Sequence, residues 1–397
     1  MDAHMQERRR ATIADVAAAA GVSTSTVSRA LSGHGYVARS VAARVIAAAE
    51  EIGYVPDANA RNLRVGSRRD VGVLISDLAN PFYAELASGI EGRLREAGYH
   101  MLLVNNGGDQ AEELAAVNTF AALRVPGVIV TPVSEHVVGK LVRHGIHVVQ
   151  ADRVVDASGA DAVVGANDVG GRMATELLIR RGHSKIALII DEAEWTTGAG
   201  RLAGYRTAHH EAGLTVDEDL VAFAGFDVDR ARSVIGALLD RRQDITALLA
   251  ANNLLAQAAY TELADRRISI PGRVSLVAYD DVPWMSMVRP RVTTVAQHAD
   301  EIGRRSADLL ISRLQDANRR TAVSVLVNPS LVHRESVGAP FGGSRRRRRS
   351  VAPATPAPAT PSAGLSAPDA APGPVAASAA SRGTAGSTAD AAAPAGA

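Results

Sequence analysis

The sequence of 397 residues contains no cysteine. Disulfide bonds and thiolate metal sites are therefore excluded, and a reducing compartment is expected. No apolar run reaches the roughly 18 residues that a membrane-spanning helix requires. The N-terminal stretch "MDAHMQERRRAT" has three arginines but no apolar segment after them, so it lacks the pattern of a signal peptide. We therefore expect a cytoplasmic protein.

An excess of charge of one sign is also missing. Lys and Arg number 43 against 42 Asp and Glu, for a formal net charge of +1. Any surface for nucleic acid must therefore come from the local placement of side chains. Hydrophobic residues make up 47% and charged residues 21%, which is typical of a globular protein, and the length favours two or three domains.

Motifs that carry catalysis or cofactor binding are absent as well. The sequence has no Walker A motif, no GxGxxG, no GxSxG and no HExxH. The pair at 209–210, "HH", has no ligand partner four residues further along its predicted helix. We therefore expect no enzyme activity, no cofactor and no metal site.

Three zones of composition divide the chain. Residues 11 to about 66 carry short helical patterns separated by small turns, and residues 71 to about 338 alternate strand-like and amphipathic stretches. Residues 342–397 begin "GGSRRRRRS" and continue in Ala, Pro, Ser, Gly and Thr. This last zone cannot bury a core, and its composition is typical of disorder.

The middle zone repeats its rhythm in two successive runs. Strand-like segments such as "VGVLISD" and "KIALIID" alternate with helical stretches, which predicts two similar lobes, each with a parallel sheet flanked by helices. Ligands bind outside the carboxyl ends of parallel strands, so the expected site is a cleft between the lobes. The alternative for any single polar strand end is that it caps the following helix. The polar strand ends are Asp77, Asn105, Asp152, Asn252 and Asp280.

The stretch "TIADVAAAAGVSTSTVSRALSG" predicts a helix-turn-helix. Thr12 is suited to cap a first helix, with Asp15 as its acidic partner three residues on. Gly21 allows a tight turn, and Ser23 is suited to cap the second helix. A supporting third helix is expected at roughly residues 40–52.

One face of the second helix is polar and carries short side chains. Thr24, Ser25, Ser28 and Arg29 fall within an arc of about 140°. Short hydroxyls let a helix approach the major groove, and an arginine can donate two hydrogen bonds to guanine. The pattern therefore predicts a DNA-reading helix, with an ordinary three-helix module as the alternative.

In combination with later segments, this motif resembles the LacI/GalR family of bacterial transcription regulators. The segments include "EIGYVPDANARNLRVG", "VGVLISDLANPFYAELASGIE", "ANDVGGRMATELLIRRGHSKIALI", "GRLAGYRTA", "VSLVAYDD" and "RVTTVAQ". The resemblance implies an N-terminal all-α helix-turn-helix domain with a hinge helix. An α/β two-lobed domain like the type I periplasmic binding proteins follows, and then the disordered tail. It also implies a homodimer on a pseudo-palindromic operator.

The expected boundaries follow from the same resemblance. The helix-turn-helix DNA-binding domain covers 11–57, and the hinge helix and linker cover 58–70. The two-lobed effector-binding and dimerisation domain covers 71–340, and the tail covers 341–397. The arginine run at 345–349 could add phosphate contacts to DNA or could be a solvated linker.

By position, the family's DNA-contacting residues transfer onto both the helix-turn-helix and the hinge. In the family, the hinge helix lies in the minor groove and inserts a leucine between base pairs; here that leucine is Leu63, which would otherwise be one exposed residue of a linker. The residues that match base-reading positions are Thr24, Ser25 and Arg29. The residues that match phosphate-contacting positions are Thr12, Ser23, Thr26 and Ser28, and Asn59 of the hinge is also expected to bind DNA.

The family's effector contacts transfer in the same way. Carboxylates, an amide and a guanidinium would suit a polyhydroxylated ligand, most simply a sugar, although a purine-like co-repressor stays open. The chain departs from the family where "ANN" loses the usual acidic residue at 253 and where Ala166 replaces a common Asp. Trp195 would either stack on the ligand or pack on the lobe surface. The expected effector-binding residues are Asp77, Phe82, Tyr83, Asp152, Trp195, Arg201, Asn252, Asp280 and Gln297.

The predicted function is a DNA-binding regulator, in the first place a repressor, that a small molecule controls. One alternative is a small-molecule binding protein without specific DNA regulation, as in transport. Another is a regulator that responds to partner proteins instead of ligands.

Overall fold

A computed structural model describes residues 11–32, 35–54, 69–155, 159–192, 195–316 and 321–341. The predicted hinge helix with Asn59 and Leu63 lies outside these residues, and so do the arginine run and the C-terminal tail apart from residue 341. Within the described part of the chain, no helix is long and apolar enough to cross a membrane.

Three short helices form the N-terminal module: α1 (Ile13–Ala20), α2 (Thr24–Ser32) and α3 (Arg39–Glu51). The predicted capping box is confirmed, because the Thr12 hydroxyl accepts from the Asp15 amide at 3.4 Å and the Asp15 carboxylate accepts from the Thr12 amide at 2.7 Å. Gly21 ends α1 with φ of 64°, a backbone conformation that favours glycine. The cap, the turn and the supporting third helix therefore agree with the sequence prediction.

The first lobe contains five parallel strands in the first half of the middle zone. They are β1 (Asp70–Ile75), β2 (His100–Asn105), β3 (Gly127–Val130), β4 (His147–Asp152) and β5 (Asp161–Gly165). The helices between them are α4 (Pro81–Glu96), α5 (Gln110–Leu123) and α6 (Val137–Arg143). Strand β3 is buried along its whole length, as expected for a parallel sheet covered on both faces.

The second lobe repeats this arrangement after helix α7 (Asn167–Arg180). Its parallel strands are β6 (Ile186–Ile190), β7 (Val221–Phe223), β8 (Ala247–Ala250), β9 (Ser275–Tyr279) and β10 (Thr293–Ala296). Its further helices are α8 (Thr196–Glu211), α9 (Val228–Arg241), α10 (Asn253–Asp265) and α11 (Trp284–Met287). The two predicted lobes are thus present, and they have the same strand order.

The chain passes between the lobes three times. The first crossing follows β5 and leads to α7, which packs on the second lobe. The second crossing leads back to α12 (Ala299–Gln315), which packs on the first lobe. The last crossing joins β11 (Ser324–Val327) in the first sheet to β12 (Ser330–Val332) in the second. The sheet orders are therefore β11-β5-β4-β3-β1-β2 and β12-β10-β9-β8-β6-β7, with β12 antiparallel to β10.

Two glycines let α7 and α8 approach closely. A Cβ at Gly171 would lie 2.4 Å from the backbone oxygen of Arg201, and a Cβ at Gly204 would lie 2.1 Å from that of Asp168. The close contact places Arg201 of α8 beside the first residue of α7, Asn167. Any side chain at either glycine would push these helices apart and move Arg201 with them.

Candidate functional site

A cavity of about 610 Å³ lies between the two lobes, at the carboxyl ends of their strands. Both lobes supply its walls, as the alternation of strands and polar strand ends predicts. Its volume is in the range of small-molecule sites in proteins. The residues around it include every predicted effector-binding position: Asp77, Phe82, Tyr83, Asp152, Trp195, Arg201, Asn252, Asp280 and Gln297. That these residues bind an effector remains a prediction.

Arg153, which directly follows β4, is the first buried cation of the cavity, with 2% of its surface exposed. Its Nη2 donates to the Ser76 hydroxyl at 2.8 Å and to the Tyr83 hydroxyl. Its Nε lies 3.6 Å from the Asp152 carboxylate. Among the described residues, Nε and Nη1 have no hydrogen-bond partner. Acceptor atoms of a ligand would therefore complete the hydrogen bonding of this guanidinium.

An aromatic pair from the second lobe covers Arg153. The centroid of the Trp195 ring lies 3.8 Å from the guanidinium carbon, and the Phe226 ring stacks on Trp195 at 4.7 Å. The backbone amide of Val154 also donates to the Thr196 hydroxyl at 3.2 Å. The indole of Trp195 lines the cavity and packs on a cation of the opposite lobe, a contact that neither prediction for this residue included. Stacking of the indole on a ligand stays a prediction.

Arg201 is the second buried cation. Its Nε donates to the Asn167 side chain at 2.9 Å and its Nη1 to the Ala251 carbonyl at 2.5 Å, while the guanidinium stacks 4.0 Å from the Tyr279 ring centroid. Burial acts to lower the pKa of Arg201, but Tyr279 and the nearby carboxylates, Asp280 foremost, leave that pKa raised above its usual value. Arg201 therefore stays charged inside the cavity wall.

Asp152, which is buried, and Tyr83, which is half-buried, form a hydrogen-bonded pair beside Arg153. The Tyr83 hydroxyl donates to Asp152 Oδ2 at 3.2 Å. Burial raises the pKa of Asp152, although the guanidiniums of Arg153 and Arg201 act in the opposite direction. Burial likewise raises the pKa of the Tyr83 hydroxyl, which therefore remains a donor at neutral pH.

Several strand-end residues also cap a helix or stabilise a turn. Helix capping was the alternative that the sequence left open for each of them. Asn252 caps α10 by accepting from the Leu255 amide at 2.8 Å, and its amide donates to Asp191 at 3.2 Å. Asp77 accepts from the amide of Ala79 at 2.9 Å. Asn105 does not line the cavity; it accepts from the Leu78 amide at 3.2 Å.

The sequence prediction missed several polar or aromatic residues that line the cavity, among them Asn80, Arg153, Asp191 and Phe226. Arg153 follows the predicted Asp152, and Asp191 is the last residue of the strand-like "KIALIID", so both positions were within reach of the strand-end rule. Nothing in the local sequence distinguishes Asn80, which caps α4, or Phe226. The cavity lining carries two arginines and six carboxylates, which are Asp77, Asp152, Asp191, Glu192, Asp227 and Asp280.

The outer face of α2 is a second candidate site. Ser23, Thr24, Ser25 and Arg29 are exposed, whereas Val27 is fully buried against the other helices. The Ser23 hydroxyl caps α2 by accepting from the Thr26 amide at 3.2 Å. Arg29 donates through Nε to the Ser25 carbonyl at 3.3 Å. Thr26, Ser28 and Thr12 are half-buried.

Within the part of the chain that the structure describes, no group of three or more His, Asp or Glu side chains is arranged to hold a metal ion. A helix-turn-helix with an exposed polar helix, joined in one chain to a two-lobed body with a ligand-sized cavity, defines a class of DNA-binding proteins that respond to small molecules.

Comparison with known proteins specifies the family. Residues 12–57 match the family described as "Bacterial regulatory proteins, lacI family". Residues 68–333 match the family described as "Periplasmic binding proteins and sugar binding domain of LacI family". The chain belongs to the LacI family of bacterial regulatory proteins.

Its relatives include two kinds of named repressor. The HTH-type transcriptional repressor PurR of Vibrio atlanticus (strain LGP32) is 32% identical over 330 residues, which cover 82% of this chain and 98% of that protein. The ribose operon repressor of Escherichia coli (strain K12) is 32% identical over 307 residues, which cover 77% of this chain and 93% of that protein.

Solved structures agree with this assignment. The complex of the transcriptional regulator CelR with cellobiose is 31% identical, covers 83% of this chain and 100% of that chain, and has a TM-score of 0.63. The lac repressor dimer bound to operator and the anti-inducer ONPF is 24% identical with a TM-score of 0.73 and the same coverage, so it supports the fold.

Proposed function

We propose that this protein is a transcriptional repressor whose affinity for an operator depends on a small molecule bound between its lobes. The observation that carries the proposal is one chain with two sites. One is a helix-turn-helix whose α2 face is exposed and polar, and the other is a cavity of about 610 Å³ that both lobes line. We further propose that the protein has no enzyme activity and is located in the cytoplasm.

For DNA binding we propose the domain boundaries and residue roles that the sequence predicts. Residues 11–57 read a half-site, with Thr24, Ser25 and Arg29 facing bases. Residues 58–70 form the hinge, and 71–340 bind effector and pair two chains. Two such chains would read a pseudo-palindromic operator, because the symmetry of a dimer is mirrored in its DNA site.

The chemistry of the cavity favours a neutral, polyhydroxylated effector. Six carboxylates against two arginines would repel a phosphorylated or carboxylated ligand. Hydroxyl groups of a sugar can donate to the carboxylates and accept from Arg153, whose Nε and Nη1 lack hydrogen-bond partners among the described residues. The indole of Trp195 and the ring of Phe226 add an apolar face of the kind on which a sugar ring packs.

Control follows from linkage between the two sites. A ligand that binds one arrangement of the lobes more tightly shifts the population toward that arrangement. An inducer would favour the arrangement with low operator affinity, and a co-repressor the arrangement with high affinity. Three chain crossings connect the lobes, so a rearrangement of one lobe against the other involves these crossings.

The test begins with recovery of bound DNA from a genomic library by the purified protein. We expect a pseudo-palindromic site, and the affinity for that site is then measured with neutral sugars, sugar phosphates and purine bases. A change with a neutral sugar supports the sugar proposal, and a change with a purine base replaces it with a purine effector. Binding that does not distinguish the selected site from random DNA would leave a small-molecule binding protein.

A further inference from the structure

A chain of hydrogen bonds crosses the cleft through Asn253, the residue at which the sequence departs from the usual "AND" of its family. Asn253 Nδ2 lies 2.9 Å from Asn80 Oδ1 of the first lobe and 2.8 Å from Asp280 Oδ2 of the second. The Asn253 backbone amide donates to the same Asp280 oxygen at 3.1 Å. One side chain therefore joins the two lobes.

The neighbours determine which atom of each carboxamide is the nitrogen. Asn80 must present its oxygen, because that atom accepts from the Phe82 backbone amide at 3.0 Å as the cap of α4. Asn253 then faces two oxygens, one from Asn80 and one from Asp280, and only an N–H can satisfy both. The donor role of Asn253 is thus imposed by its surroundings.

These groups are removed from water, so the loss of a partner is costly. Asn253 is 2% exposed, Asp280 is 5% exposed and Asn80 is 9% exposed. A buried donor or acceptor without a partner loses more than an exposed one, since water cannot replace the missing bond. Opening the cleft would separate Asn80 from Asn253 and hydrate both.

The same chain of bonds reaches the cavity and a crossing between the lobes. Gln297, between β10 and α12, donates through Nε2 to Asp280 Oδ1 at 2.6 Å. Asp280 also lines the effector cavity. A ligand hydroxyl that donates to Asp280 would therefore act on the carboxylate that already holds Asn253 and Gln297.

We propose that Asn253 is a positioning residue that latches the lobes together through Asn80 and couples this latch to Asp280. The inference deepens the proposed function and rests on it, because it treats the cavity as the effector site. An aspartate at 253 could not latch the lobes, since a carboxylate has no donor and would stand beside Asp280. The substitution of Asn for Asp in "ANN" thus has a structural reason.

The experiment is a double-mutant cycle on the closure equilibrium, read as a distance between the lobes. Spin labels are placed on exposed positions of each lobe by Glu112→Cys and Asp229→Cys in the full chain, which has no cysteine of its own. The variants are Asn253→Ala, Asn80→Ser and the two combined. Serine keeps a capping oxygen for α4 but is too short to reach Asn253.

We expect each single substitution to lower the ratio of closed to open protein roughly five-fold, the effect of one lost hydrogen bond. The double variant should open no further than either single variant, because the same bond is lost only once. Asn253→Asp should open the lobes at least as much as Asn253→Ala. Thermal midpoints of all variants serve as a folding control.

Two results would overturn the latch: single substitutions that leave the distance distribution unchanged, or effects that add in the double variant. If one substitution prevents folding, the other still tests the bond by itself. The measurement uses neither DNA nor effector. Its failure would leave the proposed function standing, whereas loss of operator recognition would not alter these distances.

Discussion

Asp152 and Asp280 occupy equivalent positions in the two lobes. Asp152 ends β4 and Asp280 directly follows β9, and each of these strands is third in the order of its own sheet. Both residues have positive φ, 69° and 66°, which is uncommon for a residue with a side chain. Such strain, of about 1 to 3 kcal/mol, persists where the surroundings hold a residue in place, often at binding sites. The repeat of the fold therefore places one strained carboxylate on each side of the cleft.

The raised pKa of Asp152 predicts how its replacement changes stability with pH. Because burial raises the folded-state pKa above its unfolded value, the stabilisation from protonated Asp152 is complete below the unfolded pKa of about 3.9. It is lost as the pH rises through the folded pKa. Asp152→Asn cannot ionise, so its unfolding free energy should rise relative to wild type as the pH increases above about 4, until Asp152 of the folded wild type is ionised. Urea unfolding at several pH values measures this, and a difference that stays constant or changes in the other direction would contradict it.

Trp195 should report ligand binding. It lines the cavity and stacks on Arg153 and Phe226. The sequence has two tryptophans, so in the variant Trp284→Phe all tryptophan emission comes from Trp195. In that background we expect Arg153→Met to change the emission of Trp195, because the charged face next to the indole is removed. An effector should change it as well. Unaltered emission at ligand concentrations that saturate a thermal shift would show that the ligand binds elsewhere.

The sequence predicts the position of a site residue well where that position depends on a single strand and its end. Asp152 ends a buried strand and Asp280 directly follows one, so the strand-end rule locates both in the cleft. The same rule fails for Asn105, because β2 lies at the edge of its sheet and the side chain serves the Leu78 amide instead. A strand end thus predicts a place in the sheet but not the partner of the side chain.

Contacts between distant segments could not be predicted in this way. Asn253 stands out in the sequence as a departure from the family, but its partner Asn80 is 173 residues away in the other lobe. Strands β11 and β12 are short and partly exposed, and neither was predicted from the sequence. The last crossing between the lobes depends on them and became visible only in the fold.

Arg29 should determine base preference. Arg29→Ala is expected to cost roughly 1–3 kcal/mol and to relax selection at one position of each half-site, because a bidentate contact with guanine is lost. Ser28→Ala should weaken binding to all sequences alike, since its predicted partner is a phosphate. Selection of binding sites by each variant compares the two. Equal loss of selectivity in both would assign base reading to other residues of α2.

Leu63, in the hinge predicted from the sequence, should bend the operator. Insertion of an apolar side chain unstacks a base step at a cost of a few kcal/mol and opens the minor groove to further contacts. Leu63→Ala is therefore expected to lower both operator affinity and the bend angle, which energy transfer between the ends of a labelled operator measures. Retention of full affinity and full bending would remove the wedge and leave residues 58–66 as a linker.

The most direct test of the whole account is operator binding followed by fluorescence anisotropy at fixed salt, with and without effector, in wild type and in Arg201→Ala. We expect selective operator binding that a cavity ligand changes. We also expect Arg201→Ala to keep operator binding but lose the response, because the guanidinium that spans Asn167, Ala251 and the Tyr279 ring is gone. Operator binding that no small molecule changes, or a response that survives in Arg201→Ala, would contradict it.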